Sequence, residues 1–269
     1  LCNVGPSYKK ILVMQSHLYA HLKDSMVVKR MRSKNKSNLS SQSNNVSFSN
    51  EQINKRYNLR KYYLDMFNLI DLFHFNSSVS KEYFQQYFPD IQGKIIPITH
   101  DSLMDTRENS NFEVNNPIHL GYIGPYDEKK GFYVYTQVLK KLDIKNKFEA
   151  HFYGDIVDQP IFKENYCINH GILTVDELNE EYNKLDLLVV PSLWHETFGY
   201  VVLEALLRGV PCLVSSNVGA KDLLPRNWIF DSESELKKLL EELINNPDKI
   251  RQMKLEVPKL NLNYKLDIF

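Results

Sequence analysis

Leu187-Leu-Val-Val190, then Pro191-Ser192, then Leu193-Trp-His-Glu196-Thr-Phe-Gly199-Tyr-Val-Val-Leu-Glu204 is the stretch that decides the fold. The apolar run 187–190 reads as a short buried strand. It breaks at Pro191-Ser192, crosses a polar loop containing Gly199, and resumes as a helix through Ala205 to Arg208. Strand, loop and helix in that order form the unit from which open α/β sheets build their nucleotide crevices. Glu196 and Glu204 then bracket one helix N-terminus. Glu204, in the second turn, can accept hydrogen bonds from sugar hydroxyls. The N–H groups near Phe198, Gly199 and Tyr200 precede the helix, where anionic groups are favoured. Such a pairing suits a nucleotide-sugar.

The same alternation extends to both sides. Strand 118–123, helix 131–142, strand 148–153, helix 174–185, strand 187–190, helix 200–207 and strand 210–215 follow one another as βα units should, which implies a doubly wound parallel sheet. Thr174-x-x-Glu177 and Ser232-x-x-Glu235 read as capping boxes, and Gly209 as a helix C-terminal glycine. The second box opens a helix with the stripe Leu236, Leu239, Leu240, Leu243 and Ile244. Residues 99–117 lack periodicity and read as an interdomain linker. Before them, 57–70 reads as an amphipathic helix, 72–75 as a strand, 79–88 as a helix closed by Pro89, and 94–98 as a strand. Residues 33–52 are rich in Ser and Asn and read as a mobile loop. The division expected is a partial N-terminal domain over 1–98, a donor-binding domain over 118–256, and a tail over 257–269.

Bulk properties exclude several classes. The 269 residues are 43% apolar, and 33 basic residues balance 33 acidic ones. Nothing in that balance calls for nucleic acid. Cys2, Cys167 and Cys212 stand at no metal-ligand spacing and suit a reducing compartment. No apolar run reaches the roughly 18 residues needed to span a bilayer, and no leader pattern opens the sequence, so a cytoplasmic location is expected. The start at Leu1, close before the apolar run Ile11 to Met14, suggests a fragment.

Glu196-Thr-Phe-Gly199 through Glu204-Ala205, followed by Arg208-Gly-Val-Pro211, resembles the Glu-x7-Glu signature of retaining GT-B glycosyltransferases, especially glycosyltransferase family 4. Gly121-Tyr-Ile-Gly124, Lys130-Gly131, Phe152-Tyr-Gly-Asp155, His170-Gly171, Asp186, Pro191-Ser192 and Val218-Gly219 occur in the family's order over about residues 117–245. The resemblance implies a GT-B fold: a C-terminal Rossmann-like doubly wound sheet plus a partial N-terminal Rossmann-like domain whose opening strands and Gly-rich loop are missing here. It implies that Glu204 holds the donor ribose and that Glu196 faces the donor sugar near the reacting carbon. Thr197, Phe198, Gly199 and Tyr200 then supply main-chain donors, and Gly124 lets the diphosphate approach. Lys130 would neutralise the leaving diphosphate. Glu196 and Lys130 are thus the catalytic candidates, and His17 is an acceptor-side candidate. No metal or cofactor is implied, and no aspartate pair suited to a divalent ion occurs.

Taken singly, each feature also has a plainer reading. Glu196 and Glu204 could be helix-start acids favoured by the macrodipole, and Lys130 a surface lysine in the run Asp127 to Lys130. His17 could be a strand-end histidine without chemistry. His195 reads as packing, and Asp186, Gly154 and Gly219 as structural. One departure stands out: the family usually places an arginine soon after the strand glycine, whereas Gly124 is followed by Pro125-Tyr126, leaving Lys129 or Arg226 to compensate.

The reading reached is a metal-independent retaining glycosyltransferase that moves a sugar from a nucleoside-diphosphate donor to a hydroxyl of a saccharide, lipid-linked or protein acceptor. Cell-surface polysaccharide or glycoconjugate synthesis would bring it to the inner membrane face, and a homo- or hetero-oligomer fits the incomplete first domain. Two alternatives stay open: a nucleotide-sugar epimerase of the same fold, and a non-catalytic nucleotide-binding or partner subunit.

Overall fold

A computed structural model describes residues 49–97 and 103–262. They fall into two compact units, residues 49–74 with 92–94, and residues 75–91 with 95–262. His17 and positions 33–48 of the predicted loop lie outside the described residues.

In the first unit, helix α1 (Asn50–Phe67) begins earlier than the periodicity suggests, because Ser49 and Gln52 form a reciprocal capping box. The last residues of the predicted loop are therefore helical. The expected apolar stripe is not uniformly buried: Leu59 is 42% and Tyr62 59% exposed, while Phe67 is buried against Phe73. Strands β1 (Phe73–Phe75) and β2 (Gly93–Ile95) pair with each other.

The second unit opens with α2 (Ser78–Gln85), capped by Ser77. Its centre is a six-stranded sheet of order β5-β4-β3-β6-β7-β8, in which every pairing is parallel. The strands are β3 (Ile118–Ile123), β4 (Phe148–Tyr153), β5 (Cys167–Gly171), β6 (Leu187–Val190), β7 (Cys212–Ser215) and β8 (Ile229–Phe230). Between them lie α3 (Phe132–Lys140), α4 (Val175–Tyr182) and α5 (Tyr200–Leu206), with α6 (Glu233–Asn245) and α7 (Pro247–Glu256) closing the unit. Parallel strands covered on both faces must be apolar nearly throughout, and all four residues of β6 and of β7 are buried. Tyr122 of β3, Tyr135 and Phe132 of α3, and Phe152 of β4 form an aromatic cluster with centroids 5.6–6.0 Å apart where Tyr122 stacks on Tyr135 and Phe132 meets Phe152. On the other face, a Cβ on Gly121 would come within 2.4 Å of Leu185, so the chain after α4 lies directly on β3.

The Thr174 capping box forms as predicted. The second box forms only in part: Ser232 caps α6 by accepting from the Glu235 N–H, but the Glu235 carboxylate turns back to the Asp231 N–H instead. Gly209 has φ +79°, as a helix-ending glycine should, and its bare Cα lets Ser110 pass where a Cβ would sit 2.0 Å from Oγ. Residues 103–117 are laid onto this unit. Thr106 N–H donates to the Leu207 carbonyl (2.8 Å), and Arg107, in a short 3-10 turn, donates to the Leu260 carbonyl (3.0 Å). Asp186 has the structural duty expected of it. Wholly buried, it accepts from the N–H groups of Asn115 and His119 and pairs with Lys254 of α7 at 2.7 Å.

Strand order reverses between β3 and β6. Chain continuing from β3 builds outward through β4 and β5, and chain continuing from β6 builds the opposite way. In open α/β sheets a ligand crevice lies at such a reversal, outside the C-terminal strand ends. Gly124 follows β3, and Pro191 follows β6.

Candidate functional site

Two loops meet at the reversal, and the sequence forces them together. Gly131 has φ +72°, and a Cβ there would sit 1.8 Å from the Pro191 carbonyl oxygen, so only glycine lets the loop before α3 touch the loop after β6. The contact is cinched by hydrogen bonds to one carbonyl. Leu193 N–H, Trp194 N–H and the Ser192 hydroxyl all donate to Lys129 C=O, at 2.9, 3.1 and 3.1 Å. Ser192 is held in turn, since Ser215 Oγ donates to its carbonyl at 2.6 Å. Asp127 stiffens the first loop from inside by accepting the Lys130 N–H at 2.8 Å.

This juxtaposition brings Lys130 and Glu196 together: Nζ lies 3.0 Å from Glu196 Oε1. The ion pair is only partly wet, with the glutamate side chain 11% and the lysine side chain 40% exposed. Glu196 Oε1 has charge beside it but no aligned hydrogen bond. The main chain of Glu196 is fixed at both ends, its N–H donating to Asn217 C=O (2.9 Å) and its C=O accepting from Gly219 N–H (3.1 Å) in an isolated parallel bridge with Val218. Gly199, at φ +102°, lies below the carboxylate, 3.6 Å from Oε2 measured at its Cβ position. Phe198 is buried and anchors the loop, while its carbonyl accepts from Ala220 N–H. Thr197 C=O accepts from the Ser77 hydroxyl at 2.7 Å. Tyr200 opens α5, and in its first turn the Val202 N–H donates to the Gly199 carbonyl at 3.1 Å.

Glu204 projects from the second turn of α5. Its Oε2 accepts from the Tyr182 hydroxyl at 2.9 Å. Burial, reinforced by the nearby carboxylate, holds the Tyr182 phenol far above its ordinary pKa, so it remains a donor. Arg208 packs its guanidinium over the Tyr182 ring at 5.1 Å and donates to the Glu204 carbonyl at 2.8 Å.

Gly124, at φ +147°, donates its N–H to Tyr153 C=O (2.9 Å), and the Lys130 stem passes 4.0 Å from where its Cβ would be. The departure at Pro125-Tyr126 has a physical account. Tyr126 is a core residue, stacked on Phe132 at 4.7 Å with its hydroxyl on Asn169 (2.7 Å), and Pro125 C=O accepts from Tyr122 OH (2.8 Å). That corner presents packing where a cation is usual. Arg226 is engaged with Asp231 and the Ile229 carbonyl, and Lys129 lies over the Trp194 ring at 5.2 Å. His195 packs against Tyr83 at 5.4 Å, consistent with its packing assignment. Tyr182 had no place in the sequence-based expectations; Asp127 stood there only as part of a charged run and Ser192 only as part of the Pro191-Ser192 strand break.

A parallel sheet whose order reverses between β3 and β6, with a lysine and glutamate paired at the reversal and a second glutamate on the following helix, has the architecture of one half of a GT-B fold. Residues 117–246 match the family described as "Glycosyl transferases group 1". Sulfoquinovosyl transferase SQD2 of Arabidopsis thaliana is 32% identical over 123 residues, 44% of this chain and 23% of that protein. Among solved structures, Anabaena Alr3699/HepE in complex with UDP and glucose superposes with a TM-score of 0.55 at 19% identity, covering 79% of this chain and 62% of that one. WaaG, a glycosyltransferase involved in lipopolysaccharide biosynthesis, gives 0.55 at 14% identity over 73% of this chain and 59% of its own. The chain spans 23–44% of the length of the curated relatives it matches. No described helix is long and apolar enough to cross a membrane.

Proposed function

We propose that this chain is the donor-binding part of a glycosyltransferase of the family 4 kind, which transfers a sugar from a nucleoside-diphosphate-sugar to a hydroxyl acceptor with retention. One observation carries the reading: the Lys130–Glu196 ion pair, held by main-chain bonds on both loops at the strand reversal. A leaving diphosphate gains negative charge as the glycosidic bond breaks. An ammonium already positioned beside it stabilises that charge without reorganising. Glu196 serves twice, holding Lys130 in place before the donor arrives and facing the sugar once the ammonium turns to the phosphates. Glu204 takes the ribose hydroxyls through its carboxylate, oriented by Tyr182. The main chain from Thr197 to Tyr200 and the close approach allowed by Gly124 complete the diphosphate site. In a front-face transfer, the departing phosphate oxygen accepts the acceptor hydroxyl proton as the new bond forms on the face the diphosphate leaves. None of these roles requires a metal ion.

Residues 118–256 are then the donor half, and the acceptor is a saccharide or glycoconjugate hydroxyl met by the chain preceding it. The SQD2 match and the GT-B architecture support transfer as the chemistry, and the UDP complex of HepE recommends UDP-sugars as first donors. Release of UDP from UDP-glucose in the presence of saccharide acceptors tests the proposal. Lys130→Met and Glu196→Gln should each lower the rate by about 100-fold or more, the scale seen when one charge-stabilising group is removed. A chain that binds nucleotide yet turns over no donor would assign it to binding alone.

A further inference from the structure

A second cluster lies at the other end of the same strands. His119, Glu149 and His151 each offer one ligand atom within 4.8 Å of the others. Sequence spacing hides them. They meet because the β3–β4 register pairs His119 with Glu149 and Gly121 with His151, which puts all three side chains on one face of the sheet. Glu149 Oε2 stands 3.6 Å from each imidazole nitrogen. That is too long for a hydrogen bond, and close to the roughly 3.4 Å separating ligand atoms around a tetrahedral ion with bonds of ~2.1 Å.

The outer nitrogens of both rings have partners. His119 Nδ1 lies 3.1 Å from the Lys184 carbonyl, which can only accept, so Nδ1 carries a proton and in the neutral ring Nε2 presents its lone pair to Glu149. His151 is 9% exposed, and its Nε2 is buried without a hydrogen-bond partner. Its Nδ1 lies 2.9 Å from Nε2 of His170, whose ring stacks on Tyr153 at 4.5 Å. Two imidazoles whose far nitrogens bond to fixed partners, with a carboxylate between their near ones, are arranged as histidine ligands are in metal sites. In the tautomer where His151 donates from Nδ1 to His170, both inner nitrogens face the Glu149 carboxylate as lone pairs, a grouping that a cation between them would relieve.

We propose that His119, Glu149 and His151 bind a divalent transition ion of the zinc class, with a fourth position open to solvent. Two imidazoles and one carboxylate suit zinc far better than magnesium or calcium, which prefer oxygen ligands. His119 and Glu149 are the second residues of β3 and β4 and His151 the fourth of β4, whereas Gly124 and Gly154 follow the strand ends. The site's work is therefore to tie the two strands, and it takes no part in donor chemistry.

The test uses the full chain, stripped with a chelator and titrated with Zn2+ by calorimetry and with Co2+ by visible absorption. One equivalent should bind, Co2+ should give the intense ligand-field bands of a four-coordinate site, and Zn2+ should raise the unfolding temperature. His119→Ala and Glu149→Gln, at partly exposed positions, should weaken binding by about 100-fold or more, at least the loss that outer-shell changes cause, and abolish the thermal shift. Absence of saturable one-equivalent binding by the unsubstituted chain overturns the proposal without reference to any variant. So does undiminished binding by both variants.

Discussion

Gly131→Ala separates the cost of a left-handed backbone from the cost of pulling two site loops apart. The added methyl would sit 1.8 Å from the Pro191 oxygen and 2.5 Å from its carbonyl carbon, both backbone atoms that no side-chain rotation can clear. Gly171 is the matched control: its φ is +71° against +72°, and its added methyl meets only Ile156 at 3.6 Å, an ordinary contact. Forcing a non-glycine residue left-handed costs about 1–2 kcal/mol, and that term is common to both. Displacing packed backbone adds about 1–3 kcal/mol at Gly131 alone. Gly171→Ala should thus lose about 1–2 kcal/mol and Gly131→Ala about 2–5 kcal/mol, the latter lowering the melting temperature by about 4–20 °C at the 2–4 °C per kcal/mol usual for domains of this size. Thermal and urea unfolding followed by circular dichroism provide the comparison. Equal losses in the two variants would refute the claim that Gly131 is selected by the Pro191 contact.

Further outcomes follow from the same geometry. Tyr182→Phe removes the hydroxyl that orients Glu204 and should weaken UDP binding about 2- to 10-fold by calorimetry, the worth of one hydrogen bond, with the melting temperature nearly unchanged. Lys254→Met leaves the fully buried Asp186 carboxylate without its cation, and urea unfolding should show a loss of about 3–5 kcal/mol at unchanged m-value. Tyr126→Arg, which restores the usual cation at the price of a buried stacked ring, should lose stability and gain no UDP affinity, because the side chain at that position points into the core beside Phe132.

The strands most legible in the sequence were those buried on both faces. Leu187–Val190 ends where its apolar run ends, since a parallel strand under helices has no solvent face to interrupt the pattern, while Ile118–Ile123 and Phe148–Tyr153 keep apolar residues at both ends although His119, Glu149 and His151 interrupt them. β5, with Asn169 and His170 in its five residues, is an edge strand paired only with β4 and lacks such a run. β8 is two residues long, too short to carry a period. α7 turns only Ile250 and Met253 inward and is fastened by the buried Lys254, so its pattern reads as a charged segment. In the site, Glu196, Glu204, Lys130 and Gly199 were readable because each serves a local loop or helix start. The Lys130–Glu196 contact was not, because it joins residues 66 positions apart through the Gly131–Pro191 approach. Tyr182 gave no signal, being one of 16 tyrosines whose role depends on which helix faces which.

Calorimetric titration of the full chain with UDP, beside Glu204→Ala, tests the central claim most directly. Saturable one-to-one binding by the unsubstituted chain, weakened by at least 10-fold in Glu204→Ala while the fold persists by circular dichroism, is the expected result. Binding of equal strength in both proteins would contradict the placement of the donor at Glu204 and the strand reversal.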